Sequence, residues 1–320
     1  MSSWLAICDP LPEHALPDPL PALALFPLTQ LGVVRLSGPD TRAFLHGQLT
    51  ADINALSREQ ATLAAQCDPK GKMLGLFTLC WQADDALLIE HRSAISEQMP
   101  ALGKYAVFSK TEISDDSDNL LLLGIAGEQG AQALRDAGLT VPANDYQASQ
   151  LDGGVLLRLP GQRLLVALPA AAMATLTARL DGQWLAASAW TALEITQGIP
   201  QLAAPLSGQY IPQQLNLDKL GAINFEKGCY IGQEVVARMH FRGGNKRALW
   251  QLHGKASQVP DAGDTLELKL GDSYRRGGVV VSAASQADGQ LLVLAVAAND
   301  LDADSHFRLA ADPDSELTLR

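Results

Sequence analysis

Apolar residues along the chain fall into short runs with two spacings, one that alternates or stays continuous and one that recurs every three to four positions. Residues 32–36 form a β-like run. Ser37-Gly38-Pro39-Asp40 then reads as a helix start, with Phe44, Leu45 and Leu49 at helical spacing behind it. Residues 61–67 and 73–81 read as strands on either side of Asp68-Pro69-Lys70-Gly71, a turn signal. A strand over 87–90, a helix over 93–105 and a strand over 107–113 complete an order that resembles a split βαβ, ferredoxin-like unit.

A second unit begins near Leu120, with a strand over 120–125 and a helix over 129–137. A strand pair, 155–159 and 163–168, surrounds Pro160-Gly161. Helices over 170–180 and 187–196 follow, the latter stopped by Gly198-Ile199-Pro200. Residues 201–221 form a long Pro- and Gln-containing connection, a kind of segment that often carries function. Beyond Arg247 the runs shorten. Strands over 249–252, 266–270, 277–282, 291–296 and 307–309, separated by turn signals, predict a small antiparallel barrel. Residues 1–28, rich in Pro and Ala, read as an irregular arm. The expected class is α+β: α/β units followed by an all-β C-terminal domain.

A length of 320 residues calls for two or three domains, and an apolar fraction of 47% can fill their cores. The net charge of −11 argues against broad adsorption to nucleic acid or an anionic membrane, so direct tRNA binding is disfavoured without a local basic patch. The cysteines are Cys8, Cys67, Cys80 and Cys229. None forms a CxxC pair and no His lies at ligand spacing from them, so neither a zinc site within the chain nor a disulfide framework is expected. The run 20–28 is interrupted by Pro21 and Pro27 and is too short to span a bilayer. A cytoplasmic protein with reduced thiols is the expectation.

The densest chemistry lies in Lys227-Gly228-Cys229-Tyr230-Ile231-Gly232-Gln233-Glu234. Two glycines allow close backbone approach around a Cys-Tyr pair. Lys227 is placed to favour a thiolate at Cys229, because a nearby cation stabilises the charged form. The competing reading is a small buried cysteine. Lys227, Arg238, Arg242, Lys246 and Arg247 face only Glu226 and Glu234 among the acids, a local reversal of sign that favours an anion such as a phosphate or a polyglutamate tail. His46 is a candidate acid or base near neutral pH, with no partner evident in the sequence.

This segment resembles the signature of the YgfZ family, tRNA-modifying, folate-binding proteins related to the glycine-cleavage aminomethyltransferases. Gly47-Gln48-Leu49-Thr50-Ala51-Asp52, Cys67-Asp68-Pro69-Lys70-Gly71-Lys72, Lys104 to Lys110 (KYAVFSK) and Phe241 to Arg247 (FRGGNKR) resemble further family segments, in family order. The resemblance runs over nearly the whole chain beyond about Thr29. It implies an aminomethyltransferase-like fold arranged around a central opening. The implied domains are an arm (1–28), a folate-binding α+β domain (29–117 with 200–244), a second α+β domain (118–199) and the barrel (245–320).

The resemblance also implies tetrahydrofolate or another reduced folate as cofactor, and iron–sulfur enzymes such as tRNA methylthiotransferases as partners, with Cys229 as the working thiol. Trp190 matches a family tryptophan at the folate site. A core tryptophan on the 187–196 helix is an equal reading from the residues alone. Leu31 stands where the family has a second binding tryptophan, and Thr196 where the related aminomethyltransferases carry a pterin-holding glutamate. Glu194 lies two residues away and is expected to point elsewhere. Tyr105, Gln233, Arg238 and Arg242 are the other candidate cofactor contacts, while Lys70, Lys72 and Lys110 suit an anionic tail or a plain surface. A tetrahydrofolate-dependent one-carbon transferase is the alternative function.

Overall fold

The computed structural model describes residues 2–320. A short helix α1 (Ser2–Leu5) precedes strand β1 (Ala24–Pro27), and β2 (Leu31–Ser37) leads into helix α2 (Thr41–Gln48). Strands β3 (Ala61–Cys67), β4 (Met73–Gln82) and β5 (Asp85–His91) follow, then helix α3 (Ile95–Gly103) and strand β6 (Glu112–Asp115). The first sheet runs β3-β4-β5-β2-β6 and is antiparallel throughout. Without its edge strand β3 it has the order expected of the split βαβ unit, both helices covering one face.

The second sheet is built from β7 (Leu120–Ala126), helix α4 (Gly130–Asp136), β8 (Ala148–Leu151), β9 (Gly154–Leu159), β10 (Arg163–Pro169), helix α5 (Ala170–Thr177) and β11 (Gln183–Trp184). Its order is β11-β1-β7-β10-β9-β8. Helix α6 (Ala187–Thr196) and the connection over 201–221 lead to helix α7 (Gln233–Arg242). Strands β12 (Arg247–Lys255), β13 (Thr265–Leu270), β14 (Ser273–Ser285), β15 (Leu291–Ala298), β16 (His306–Leu309) and β17 (Asp312–Leu319) close into a six-stranded antiparallel barrel. No helix among the described residues is long and apolar enough to cross a membrane.

Both sheets are covered on both faces, which is why their strands read as continuous apolar runs. On β7, Leu120 and Leu122 face a central core shared by both sheets, α6 and the barrel, while Leu121, Leu123 and Ile125 face α4 and α5. On β2, Val33 faces the central core, and Val34 and Leu36 pack under α2 and α3. The connection over 201–221 lies along the start of β4: Met73 N–H donates to the Tyr210 carbonyl at 2.8 Å, and Gly208 N–H to the Met73 carbonyl at 2.7 Å.

Two sequence expectations differ from what forms. Residues 24–27, within the arm, make β1, a fully buried strand between β7 and β11, because Leu25 and Phe26 supply apolar groups to both faces. The strand expected over 107–113 forms only at Glu112–Asp115. Val107 and Phe108 sit in a turn with Phe108 fully exposed, so their apolar character did not reflect burial.

Candidate functional site

The signature loop folds back onto the first sheet, and a buried hydroxyl fixes its entry. Thr50 Oγ1 donates to the Ala222 carbonyl (2.7 Å) and accepts from Ala65 N–H (2.9 Å), and the Thr50 carbonyl accepts from Asn224 N–H (2.9 Å). The Asn224 Oδ1 then accepts from the N–H groups of Glu226 and Lys227 at 2.8 and 2.9 Å, which turns the chain.

Lys227 is buried. Its Nζ donates to the carbonyls of His46 (2.6 Å), Leu49 (2.7 Å) and Ala51 (2.8 Å). These oxygens stand at the end of α2, where carbonyls lack intrahelical donors and the helix dipole favours a cation. Burial pushes the ammonium down to about 8, against the pull of Asp52. The Tyr230 ring lies 5.2 Å from the same nitrogen. The N–H groups of Lys227 are committed to the end of α2, so the side chain anchors the loop there.

Cys229, two residues on, is the one exposed cysteine of the four. Burial pushes Cys80 up to about 12 and raises Cys67 further, with Asp68 adding to the effect there. Ile231 N–H donates to the Gly47 carbonyl at 3.3 Å, so the loop is tied to the end of α2 on both sides of the thiol. The His46 imidazole lies under this span. Its Nε2 is 3.6 Å from the position a Cβ on Gly228 would take, and its Nδ1 is 3.3 Å from Asp52 Oδ1. Burial and the Lys227 charge lower the His46 pKa, and Asp52 opposes them. The pairing of His46 with Asp52 was not readable beforehand. The two are six residues apart across a helix end, and only the path of the chain after Gln48 brings them together.

Gly232 joins the loop to α7 at φ +85°, where it packs so tightly that a Cβ would lie 2.5 Å from the Asp68 carbonyl oxygen and 2.9 Å from Cys67 Cβ. The Cys67–Lys72 turn and the signature loop are thus one packed unit. Gln233 opens α7 half-buried, and Arg238 and Arg242 are exposed and make no ion pair among the described residues. Lys246 and Arg247 line a different feature, a cleft of about 400 Å³ with Arg276, Tyr210 and Gly278. The basic segment is therefore divided: Lys227 points inward, two arginines sit on α7 and two cations face the barrel cleft.

Trp190 is fully buried. The Phe26 ring meets it edge-on at 5.5 Å, the Arg163 guanidinium lies 4.9 Å over its ring, and Gly124 gives it room, since a Cβ there would come within 2.5 Å of the indole. The expected stacking partner is thus packed as a core residue. Leu31 is likewise buried, in the central core. Glu194 is buried as well. It lies 3.8 Å from Arg163 and accepts from Gln201 Nε2 at 3.0 Å; burial raises its pKa, opposed by Arg163 and Gln201. Thr196 Oγ1 bonds back to the Leu193 carbonyl at 2.8 Å. Tyr105 is exposed in the turn after α3, Lys70 is exposed in the turn between β3 and β4, and Lys72 Nζ donates to the Gln209 carbonyl at 2.8 Å.

A second cleft, of about 280 Å³, lies where the first sheet, α6 and the barrel meet. Its polar lining includes Gln30, His91, Ser188, Thr191, Gln201 and the carboxylate Asp261.

Residues 245–312 match the family model described as the YgfZ β-barrel domain. The C-terminal barrel is thus similar to the YgfZ β-barrel domain over those residues. In fold, the chain is similar to the glycine cleavage system aminomethyltransferase T from Bartonella henselae, with a TM-score of 0.77 at 18% identity over 96% of this chain and 86% of that one. The match to a chain of heterotetrameric sarcosine oxidase from Corynebacterium sp. U-96 has a TM-score of 0.33 at 18% identity, covering 50% of this chain and 82% of the other. The whole-chain fold is thus aminomethyltransferase-like, and the YgfZ barrel forms one wall of both clefts.

Proposed function

We propose that this chain is a cytoplasmic, folate-binding accessory protein that supports iron–sulfur enzymes, among them tRNA methylthiotransferases, through the thiol of Cys229. The observation that carries the reading is the presentation of one exposed thiol on a loop clamped at Lys227 and Ile231. The signature motif and the YgfZ barrel favour folate as the small-molecule partner.

The residues present fit a reduced folate in one place and not in another. Trp190 and Leu31 are packed into the core and offer no open face for stacking. The cleft beside α6 is different, since Gln30, Gln201, Ser188, Thr191 and Asp261 line it, side chains of the kinds that pair with the donors and acceptors of a pterin. Its volume stands near the lower bound of small-molecule sites, roughly 300 Å³, which suits the bicyclic head better than the whole molecule. A bound folate would supply one-carbon chemistry; this chain's residues would bind and orient it.

The deciding experiment is mass spectrometry of tRNA nucleosides from cells lacking this protein, complemented with wild type or Cys229→Ala. Restoration of a methylthiolated nucleoside by wild type alone supports the reading. A normal nucleoside in the absence of the protein refutes it. The fold match favours a second reading, a tetrahydrofolate-dependent one-carbon transferase. Against it stand Thr196, whose hydroxyl is turned to its own helix, and Glu194, whose carboxylate is engaged in the core. Incubation with tetrahydrofolate and an aminomethyl or methyl donor tests it, and absence of any folate-dependent product removes it.

A further inference from the structure

We propose that the cleft between the barrel and the connection over 201–221 binds the phosphate groups of a small phosphorylated ligand. The cleft holds about 400 Å³ and shares no lining residue with the one beside α6. Lys246, Arg247 and Arg276 line it, and no Asp or Glu does so among the described residues. The chain as a whole carries a net charge of −11, so this gathering of cations runs against its composition. None of the three makes an ion pair among the described residues. Glu267 stands opposite Arg276 in the β13–β14 ladder, but its carboxylate is taken by Arg308 at 2.8 Å. Like charges brought together without an acid repel one another, and a bound polyanion relieves that repulsion.

The backbone that carries these groups is fixed from both sides. Lys72 Nζ donates to the Gln209 carbonyl and Met73 N–H to the Tyr210 carbonyl, each at 2.8 Å, which holds the connection against β4. Arg247 N–H donates to Asn245 Oδ1 at 3.2 Å, and Asn299 N–H to the Lys246 carbonyl at 3.1 Å. Arg247 lies opposite Ala298 of β15, and on the other edge of β15 Ala297 lies opposite Gly278 of β14. The two arginines thus come from the strands that flank β15, with Gly277, Gly278, Ala297 and Ala298 lining the space beside them. A Cβ on Gly278 would stand 3.0 Å from the Val296 carbonyl oxygen. Both guanidiniums act on the buried Tyr210: burial raises the phenol pKa, and Arg247 and Arg276 oppose the rise. Guanidinium forks pair with phosphate or carboxylate oxygens alike, so charge decides between them. A phosphate monoester brings about −1.5 to −2 and three acceptor oxygens, where one carboxylate brings a single charge and two. Three cations match the phosphate, and a diphosphate better still. The volume falls within the range of small-molecule sites, roughly 300–1,000 Å³, so the ligand carries more than its phosphates and is of about nucleotide size.

The test is calorimetric titration of the full-length protein with inorganic pyrophosphate, ADP and tri-γ-glutamate. It is run at low ionic strength, because salt screens exposed charges beyond roughly 10 Å at 0.1 M. The expected result is that pyrophosphate and ADP bind with a Kd below about 1 mM and more tightly than tri-γ-glutamate. Arg247→Gln and Arg276→Gln should each weaken both phosphate probes by about tenfold, the effect of losing one charged hydrogen bond. Both arginines are exposed, so glutamine at either position leaves the fold intact. Arg275→Gln is the control: Arg275 adjoins Arg276 on β14 and does not line the cleft, yet its loss changes the net charge equally. It should alter affinity by less than about twofold, as an exposed charge outside the site would. Absence of binding by both phosphate probes overturns the proposal. An equal loss in Arg275→Gln also overturns it, since the attraction is then a property of the whole surface. Tighter binding of tri-γ-glutamate overturns the phosphate assignment and makes the cleft a seat for a carboxylate tail. Neither folate nor Cys229 enters the experiment, so its failure is separable from failure of the proposed function.

Discussion

Replacing Lys227 by Met tests whether the signature loop is held by one buried ammonium. The methionine keeps the length and apolar stem of the side chain and removes three donors. The carbonyls of His46, Leu49 and Ala51 then lose bonds of 2.6–2.8 Å in a buried setting. Each unsatisfied buried carbonyl costs at least about 1 kcal/mol, so the local loss is about 3 kcal/mol. At about 1.4 kcal/mol per factor of ten, this lowers hydrogen-exchange protection by roughly a hundredfold. The assay is amide exchange at pH 7 read by mass spectrometry, comparing peptides over 41–51 and 224–232 with barrel peptides over 291–298. The first two segments should lose protection together while the barrel keeps its own. Protection over 41–51 that changes by less than about threefold would refute the anchor, because the three carbonyls would then have other donors.

Glu90 on β5 is buried with both carboxylate oxygens unpartnered, and burial followed by Asp115 raises its pKa well above the ordinary value. A raised carboxylate pKa is a stability loss that grows as pH rises above the unfolded value near 4.5. Glu90→Gln should therefore stabilise the protein at pH 7 and have little effect at pH 4, as read by urea unfolding at both pH values. Glu194→Ala leaves Arg163 buried without its carboxylate and should cost about 3–5 kcal/mol, measured by the same unfolding experiment. Gly124→Ala drives a methyl group into the Trp190 indole, which Phe26 and Arg163 prevent from yielding. A cost of about 1–3 kcal/mol and an altered tryptophan emission spectrum are expected.

The legible parts of the chain were those whose signal is local. The hairpin around Asp68-Pro69-Lys70-Gly71, the helix over 187–196 and the short barrel strands all carry their period and stop signals within a dozen residues. Strand β1 was hidden because its burial depends on β7 and β11, about 100 and 160 residues away, while Pro21 and Pro27 give the local pattern of an arm. Lys227 was legible as an important residue and not as a helix cap, since its acceptors lie some 180 positions earlier. Trp190 shows the converse. An aromatic residue on an apolar helix face serves core and ligand site equally well by pattern, and only Phe26, Gly124 and Arg163 decide which.

The position of β1 between β7 and β11 bears on how this protein is made and how it can be cut. A segment synthesised before any of the first sheet becomes an interior strand of the second, and its neighbour β11 is complete only at Trp184. Residues 31–115 thus fold as an excursion enclosed by the two halves of another sheet, and the signature loop later returns to that excursion. On the ribosome the N-terminal strand must wait, unpaired, until β7 has followed it about 100 residues later, and its second neighbour β11 comes about 60 residues after that. A cut at either boundary of that excursion parts β1 from the rest of the second sheet, while residues 31–115 keep every strand of the first, so the dependence between the two α/β units runs one way.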